Sequence, residues 1–151
     1  FEGEFYRDPF RNIDQRITVG AGLGYVVIDE KELTWEVTGG PSFLNTRYIS
    51  VQQGENASDS SFALMLGTLV ETDITKTLEF IFQYDIKAAQ KKVGGYSHHA
   101  VASFENEITE RIDLDVSFLW DRTSYPTADA NGVVPKADDY RLMLGFNYSF
   151  D

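Results

Sequence analysis

With 151 residues and no cysteine, the chain is long enough for one domain, 1–151, and offers neither a disulfide framework nor a thiolate metal site. A formal net charge of -11 excludes a nucleic-acid surface built on lysine and arginine. Apolar runs are too short for a membrane-crossing helix, whereas a barrel strand needs only about 9–11 residues with every second one apolar.

Alternation predicts about eight strands and no helix. The first runs from Phe1 to Tyr6. The second, 15–28, sets Ile17, Val19, Ala21, Leu23, Tyr25 and Val27 against Arg16, Thr18, Gly20, Gly22 and Gly24. The third, 33–44, opposes Leu33, Trp35 and Val37 to Thr34, Glu36 and Thr38, and Gly39-Gly40-Pro41 predicts a bulge or bend within it. The fourth, 61–73, is apolar on both faces from Phe62 to Leu66. In the fifth, 78–87, Leu78, Phe80, Phe82, Tyr84 and Ile86 oppose Glu79, Ile81, Gln83, Asp85 and Lys87. The sixth, 97–108, sets Ala100, Ala102, Phe104 and Ile108 against Ser103, Glu105 and Glu107. The seventh, 112–122, sets Ile112, Leu114, Val116, Phe118 and Trp120 against Asp113, Asp115, Ser117 and Asp121. The last, Tyr140–Phe150, puts Tyr140, Leu142, Leu144, Phe146, Tyr148 and Phe150 on one face and Arg141, Met143, Gly145, Asn147 and Ser149 on the other.

Connection lengths alternate. Short turns at 29–32, 74–77 and 109–111 separate longer polar loops at 7–14, 45–60, 88–96 and 123–139. Outer-membrane barrels alternate short periplasmic turns with longer outer loops in this way. A soluble barrel that binds an apolar ligand is the competing reading, with the same alternation turned inside out. Residue size favours the membrane form. Glycine and serine share the polar face, where a small barrel interior is cramped, and Phe80, Phe82, Val116, Phe118, Leu144 and Phe146 then face lipid. Aromatics also gather near strand ends, as in interfacial girdles. The expected fold is an all-β, antiparallel, up-and-down transmembrane β-barrel. The chain opens on Phe1 without an initiator Met or an apolar leader, and reads as mature or trimmed.

The segments Phe5-Tyr6-Arg7-Asp8-Pro9-Phe10-Arg11, Asp14-Gln15-Arg16 and Gly20-Ala21-Gly22-Leu23-Gly24-Tyr25, with Gly40-Pro41 and the acidic last loop before Tyr140, carry a family resemblance. The chain resembles the salt-induced outer-membrane proteins, a Gram-negative barrel family of unassigned function. That resemblance implies outer-membrane localisation, lipid as the surrounding partner, and a structural or permeability role in stress tolerance without enzymatic activity or cofactor. The ending, with Gly145, Tyr148 and Phe150, is similar to the insertion signal read by the barrel-assembly machinery, although Asp151 follows the terminal aromatic. Family members carry further strands ahead of Tyr6, so the chain is either a barrel of about eight strands or the C-terminal part of one of about ten to twelve.

Chemistry is thinner. Glu36, Glu71, Glu79, Glu105, Glu107, Asp113 and Asp115 fall on the polar face toward the short turns, whereas Arg16, Lys87, Arg141, Asp85 and Asp121 lie toward the long loops. The acidic set predicts either a solvated rim or the mouth of a narrow cation-preferring channel. Adjacent His98 and His99 point to opposite faces of a strand and cannot easily share a metal. A rim-site hydrolase would need one of them beside Ser60, Ser97 or Ser124 and Asp59 or Asp121. Asp129-Ala130-Asn131-Gly132 lacks the ligands of a calcium loop and predicts an Asx turn, and Gly94-Gly95 marks flexibility without a phosphate site.

Overall fold

Strict period-two alternation gives a helix no apolar stripe to bury, and the computed structural model, which describes residues 1–109 and 111–148, is all-β apart from two single 3-10 turns at Pro9–Arg11 and Lys91–Val93. The strands are β1 (Glu2–Asp8), β2 (Ile13–Gly20), β3 (Leu23–Glu30), β4 (Leu33–Tyr48), β5 (Ser58–Asp73), β6 (Leu78–Ala88), β7 (Tyr96–Thr109), β8 (Ile112–Thr123) and β9 (Asp138–Tyr148). All pairings are antiparallel, in the order β1-β2-β4-β5-β6-β7-β8-β9, with β3 also paired to β4. The sheet curls into a half-barrel whose edges are β1 and β9. The end of the predicted last strand, 149–150, lies outside the described residues, and Phe150 with it.

The predicted second strand is two strands in one lane. Gly20 faces Ser42 and Leu23 faces Gly39, so β2 and β3 keep one register across the gap at Ala21-Gly22. The break predicted within the third strand therefore falls on its neighbour. β4 runs without a shift against β5, from Leu33 opposite Thr72 to Arg47 opposite Ser58. Proline explains the displacement. In an antiparallel ladder the N–H and C=O of one residue point to the same neighbour. The Pro41 carbonyl accepts from the Ala21 N–H at 3.2 Å, so its missing N–H is also lost on that side, and the ladder to β5 is spared. A bulge between Val26 and Ile28 bends β3 further.

The two faces differ as the alternation predicts. Phe62, Phe118, Leu142, Leu144 and Phe146 turn outward and stay 49–79 % exposed. Phe80, Phe82 and Val116 lie on the same outer face, in the rows that run through Phe104 and Leu144 or through Phe118 and Leu142. The apolar stretch 62–66 resolves by parity: Phe62, Leu64 and Leu66 point out, and Ala63 and Met65 point in. The buried core is small and lies at the long-loop end, where Leu44, Ala63 and Val93 pack together.

Candidate functional site

The inner face surrounds a cavity of about 620 Å³ reached by residues of nearly every strand. Small residues make room for it. A Cβ on Gly67 would lie 2.5 Å from Asp85 Oδ1 and 2.6 Å from Thr38 Oγ1, and a Cβ on Gly20 would lie 2.5 Å from Met65 Cε. The space of the absent side chains is thus filled by the paired residues beside Gly67 and, at Gly20, by Met65 reaching over β4.

Charges tie the curl together. Lys87 Nζ on β6 donates to Glu2 Oε1 at 2.9 Å and Glu4 Oε2 at 2.7 Å, both on the far edge strand β1. Arg11 donates through Nη1 to Thr123 Oγ1 at 3.3 Å and through Nη2 to the Asp121 carbonyl at 3.1 Å. Arg141 pairs with Asp121, whose other oxygen meets His99 Nδ1 at 2.7 Å. Arg16 donates to Thr46 Oγ1 at 2.9 Å and the Val93 carbonyl at 3.1 Å.

The long loops close this end. Asn12, in a left-handed conformation (φ 60°) that asparagine tolerates, donates to the carbonyls of Ser50 (2.8 Å) and Ala128 (3.2 Å) and accepts from the Ser50 N–H at 3.1 Å. Tyr48 donates to the Lys92 carbonyl at 2.8 Å, and the Tyr125 N–H to that of Gly94 at 3.0 Å. Gly94 and Gly95 adopt φ of 111° and 69°, with Tyr125 packed where a Gly95 side chain would sit. The Asx turn forms: Asp129 Oδ1 accepts from the N–H groups of Asn131 (2.8 Å) and Val133 (2.9 Å). Asn12→Ala is expected to remove the side-chain bonds to Ser50 and Ala128 and leave alanine in a left-handed site, at about 1–3 kcal/mol. Amide hydrogen exchange should show the loss as faster exchange at Ser50 and along 124–137, with β6 to β8 unchanged.

The opposite end is acidic. Register places Glu79 opposite Glu105, Glu105 opposite Asp115, and Glu107 opposite Asp113. Glu71 lies diagonal to Glu79 and Glu36 diagonal to Glu71, which makes one band from β4 to β8. Asn147 Nδ2 donates to Asp115 Oδ2 at 2.9 Å, and a Cβ on Gly145 would lie 3.2 Å from that oxygen. Sequence reasoning placed these carboxylates on one face. What it missed is that Leu69, Val101 and Leu119 join Ile81 and Met143, already placed on that face, in an inward apolar belt between the two charged ends. Ser103 and Ser117 interrupt it with a hydroxyl pair at 2.9 Å.

The histidines part as predicted. His98 stacks between Tyr84 and Trp120 on the outer face, with Nδ1 2.8 Å from the Tyr84 hydroxyl, and His99 faces Asp121 inside. Among the described residues no serine hydroxyl is hydrogen-bonded to either imidazole. Ser60 is engaged by Asn45 Nδ2 at 2.7 Å, on the face opposite His99.

Fold and site together define a barrel-type antiparallel sheet with an apolar outside, a polar-ended interior and one end capped by its loops. A model of the family described as protein of unknown function, DUF481, matches residues 1–150, and the chain belongs to that family. Neither a curated protein nor a solved structure matches it.

Proposed function

We propose that the protein is a bacterial outer-membrane β-barrel with a structural, envelope-stabilising role and no substrate of its own. The observation that carries this reading is the inverted arrangement of its faces, bulky apolar residues outside and small or charged residues inside. On β9, Tyr140 and Tyr148 bracket Leu142, Leu144 and Phe146. They lie about 27 Å apart along the strand at roughly 3.4 Å per residue, close to the run of about 9 residues that a tilted barrel strand needs to cross. Trp120, Tyr84 and Tyr140 lie in one row toward the loops, as an interfacial girdle would. Resemblance to the salt-induced outer-membrane proteins adds stress tolerance to this reading, and the knit loops favour a capped end over an open pore.

A heat-dependent shift in SDS mobility after folding in detergent micelles is the expected result. A well-folded monomer in plain buffer without such a shift would overturn the proposal and turn the apolar faces toward a soluble ligand. The acidic band favours a second reading, a narrow cation-preferring conduit. Cation-selective reversal potentials in planar bilayers would support it, and silent bilayers would leave the structural role.

A further inference from the structure

Register sorts the outer face of β1, β2, β4 and β5 into rows as it approaches the long loops. Phe62 faces Phe43, and Phe43 faces Val19. One row closer to the loops, Ser60 faces Asn45, Asn45 faces Ile17, and Ile17 faces Phe5. In the row beyond, Ser58 faces Arg47, and Arg47 faces Gln15. Arg7 follows Phe5 by two residues on β1 and belongs to this last row. Here β2 carries one extra residue, Asp14, against both of its neighbours, and this bulge sets the carboxylate between the two arginines. The step from the apolar row of Phe5 and Ile17 to the charged row is roughly 7 Å along a strand. On β4 the outward residues behind Arg47, from Trp35 to Phe43, are uncharged and match in length the run from Tyr140 to Tyr148 on β9.

The two guanidiniums share that one carboxylate loosely. Arg7 Nη2 is 3.7 Å from Asp14 Oδ1 and Arg47 Nε is 3.5 Å from Asp14 Oδ2, and the arginine side chains are 63 % and 67 % exposed. Neither contact is short enough for a charge-assisted hydrogen bond, so the five N–H donors of each remain available. Other charges nearby are spent. Arg122, at the loop end of β8, meets both oxygens of Asp138 at 3.1 and 2.9 Å. Asp8 turns inward, to the Tyr6 hydroxyl at 2.8 Å and to Arg11. In a chain with 24 acidic and 13 basic residues, an outward patch of two cations on one carboxylate runs against the overall balance. Asn45 Nδ2 donates to Ser60 Oγ at 2.7 Å and to Ser58 Oγ at 3.4 Å, which leaves both hydroxyl protons for an acceptor beside Arg47.

We propose that Arg7 and Arg47, with Ser58 and Ser60, bind the phosphate of an anionic lipid headgroup at the long-loop surface of the membrane. Two cations on one carboxylate leave one positive charge, which matches a headgroup of net charge minus one. Guanidinium forks suit phosphate oxygens, and the two hydroxyls add donors in the adjoining positions. The ligand's acyl chains have a place to go. Phe5, Ile17, Val19, Phe43 and Phe62, 39–79 % exposed, lead from the arginines down the apolar face. A soluble anion would use the cations and leave those rows idle, whereas a lipid meets both with one molecule. Such a site presupposes the lipid that the outer-membrane reading places around the outer face, and gives the envelope-stabilising role a physical form: β1, β2 and β4 tied to the headgroup layer.

The test is native mass spectrometry of the whole chain in uncharged detergent micelles, with phosphatidylglycerol or, separately, phosphatidylcholine added. Retention of one phosphatidylglycerol is expected, with phosphatidylcholine held about tenfold more weakly. Arg7→Gln and Arg47→Gln together should weaken phosphatidylglycerol binding about tenfold. Their melting temperature should not change, because both side chains are exposed and lose only the loose contacts to Asp14. Lys31→Gln and Lys76→Gln, the same charge change at the short-turn end, should bind like wild type. Wild-type retention in the arginine variant, an equal loss in the lysine variant, or equally tight binding of glycerophosphoglycerol, the headgroup without acyl chains, overturns the assignment. SDS mobility of the same preparation separates the two proposals. With a heat-dependent shift and no arginine-dependent retention, the headgroup site alone falls. With a folded, unshifted protein in plain buffer, the barrel reading falls and the site with it.

Discussion

Leu144→Arg is expected to destabilise the protein by about 2–4 kcal/mol in phospholipid vesicles, the cost of a cationic side chain at the midplane of a barrel's lipid face. Leu144 is 66 % exposed, lies opposite Val116, and is midway between Tyr140 and Tyr148 on β9. Exposure decides the interpretation. A leucine already in contact with solvent loses little packing when it becomes arginine, and in water such a change falls within about 0.5 kcal/mol. A large loss thus reports the medium outside the sheet and not a cavity inside it. Urea unfolding in vesicles measures it, and Met143→Arg is the control. Met143 is the adjacent inner-face residue, 56 % exposed, opposite Ser117. Its arginine can extend toward the acidic band, so the expected cost is well below that of Leu144→Arg. Equal and small effects at both positions would remove the lipid from the proposal.

Much of this architecture is readable in the sequence because each strand states its own faces. Leu78 to Lys87 alternates with one exception, Ile81, and the same two faces continue in 97–108 and 112–122. Parity alone places Glu79, Glu105 and Asp115 on one face. Their direct opposition is set by turn lengths, which the pattern fixes only to within a residue or two. The interruption at Ala21-Gly22 was hidden for a different reason. Alternation continues through it, and the cause, Pro41, lies on another strand and acts through the one neighbour that its nitrogen faces. The loop cap was equally out of reach. Asn12, Tyr48 and Arg16 are unremarkable polar residues until the curl of the sheet brings Ser50, Lys92 and Val93 beside them.

Gly40→Ala is expected to cost about 3 kcal/mol, at the upper end of what overpacking costs, although it adds one methyl group on a strand. Alanine in place of glycine within a sheet ordinarily helps by reducing the freedom of the unfolded chain. At this position the ideal Cβ would lie 2.1 Å from the Ala21 carbonyl oxygen and 2.4 Å from Gly22 Cα, and both are backbone atoms. Neither can rotate away as a side chain would. To accept the methyl group, Ala21-Gly22 must move off β4. That would break the Ala21 N–H bond to Pro41 and uncouple β2 from β3. The consequence reaches the cavity, because Thr18 and Arg16 are on β2 and hold the capped end to β4 through Leu44 and Thr46. Gly24→Ala is the matched control, in the same lane. Its Cβ would lie 3.5 Å from Thr38 Cγ2, an ordinary contact, so the variant should be neutral or slightly stabilising. Unfolding curves of the two variants separate the explanations. A large loss at Gly40 with none at Gly24 identifies close backbone approach as the reason for glycine here. Equal tolerance at both would mean that the β2–β3 gap is soft, and that the lane is held by its flanking pairs alone.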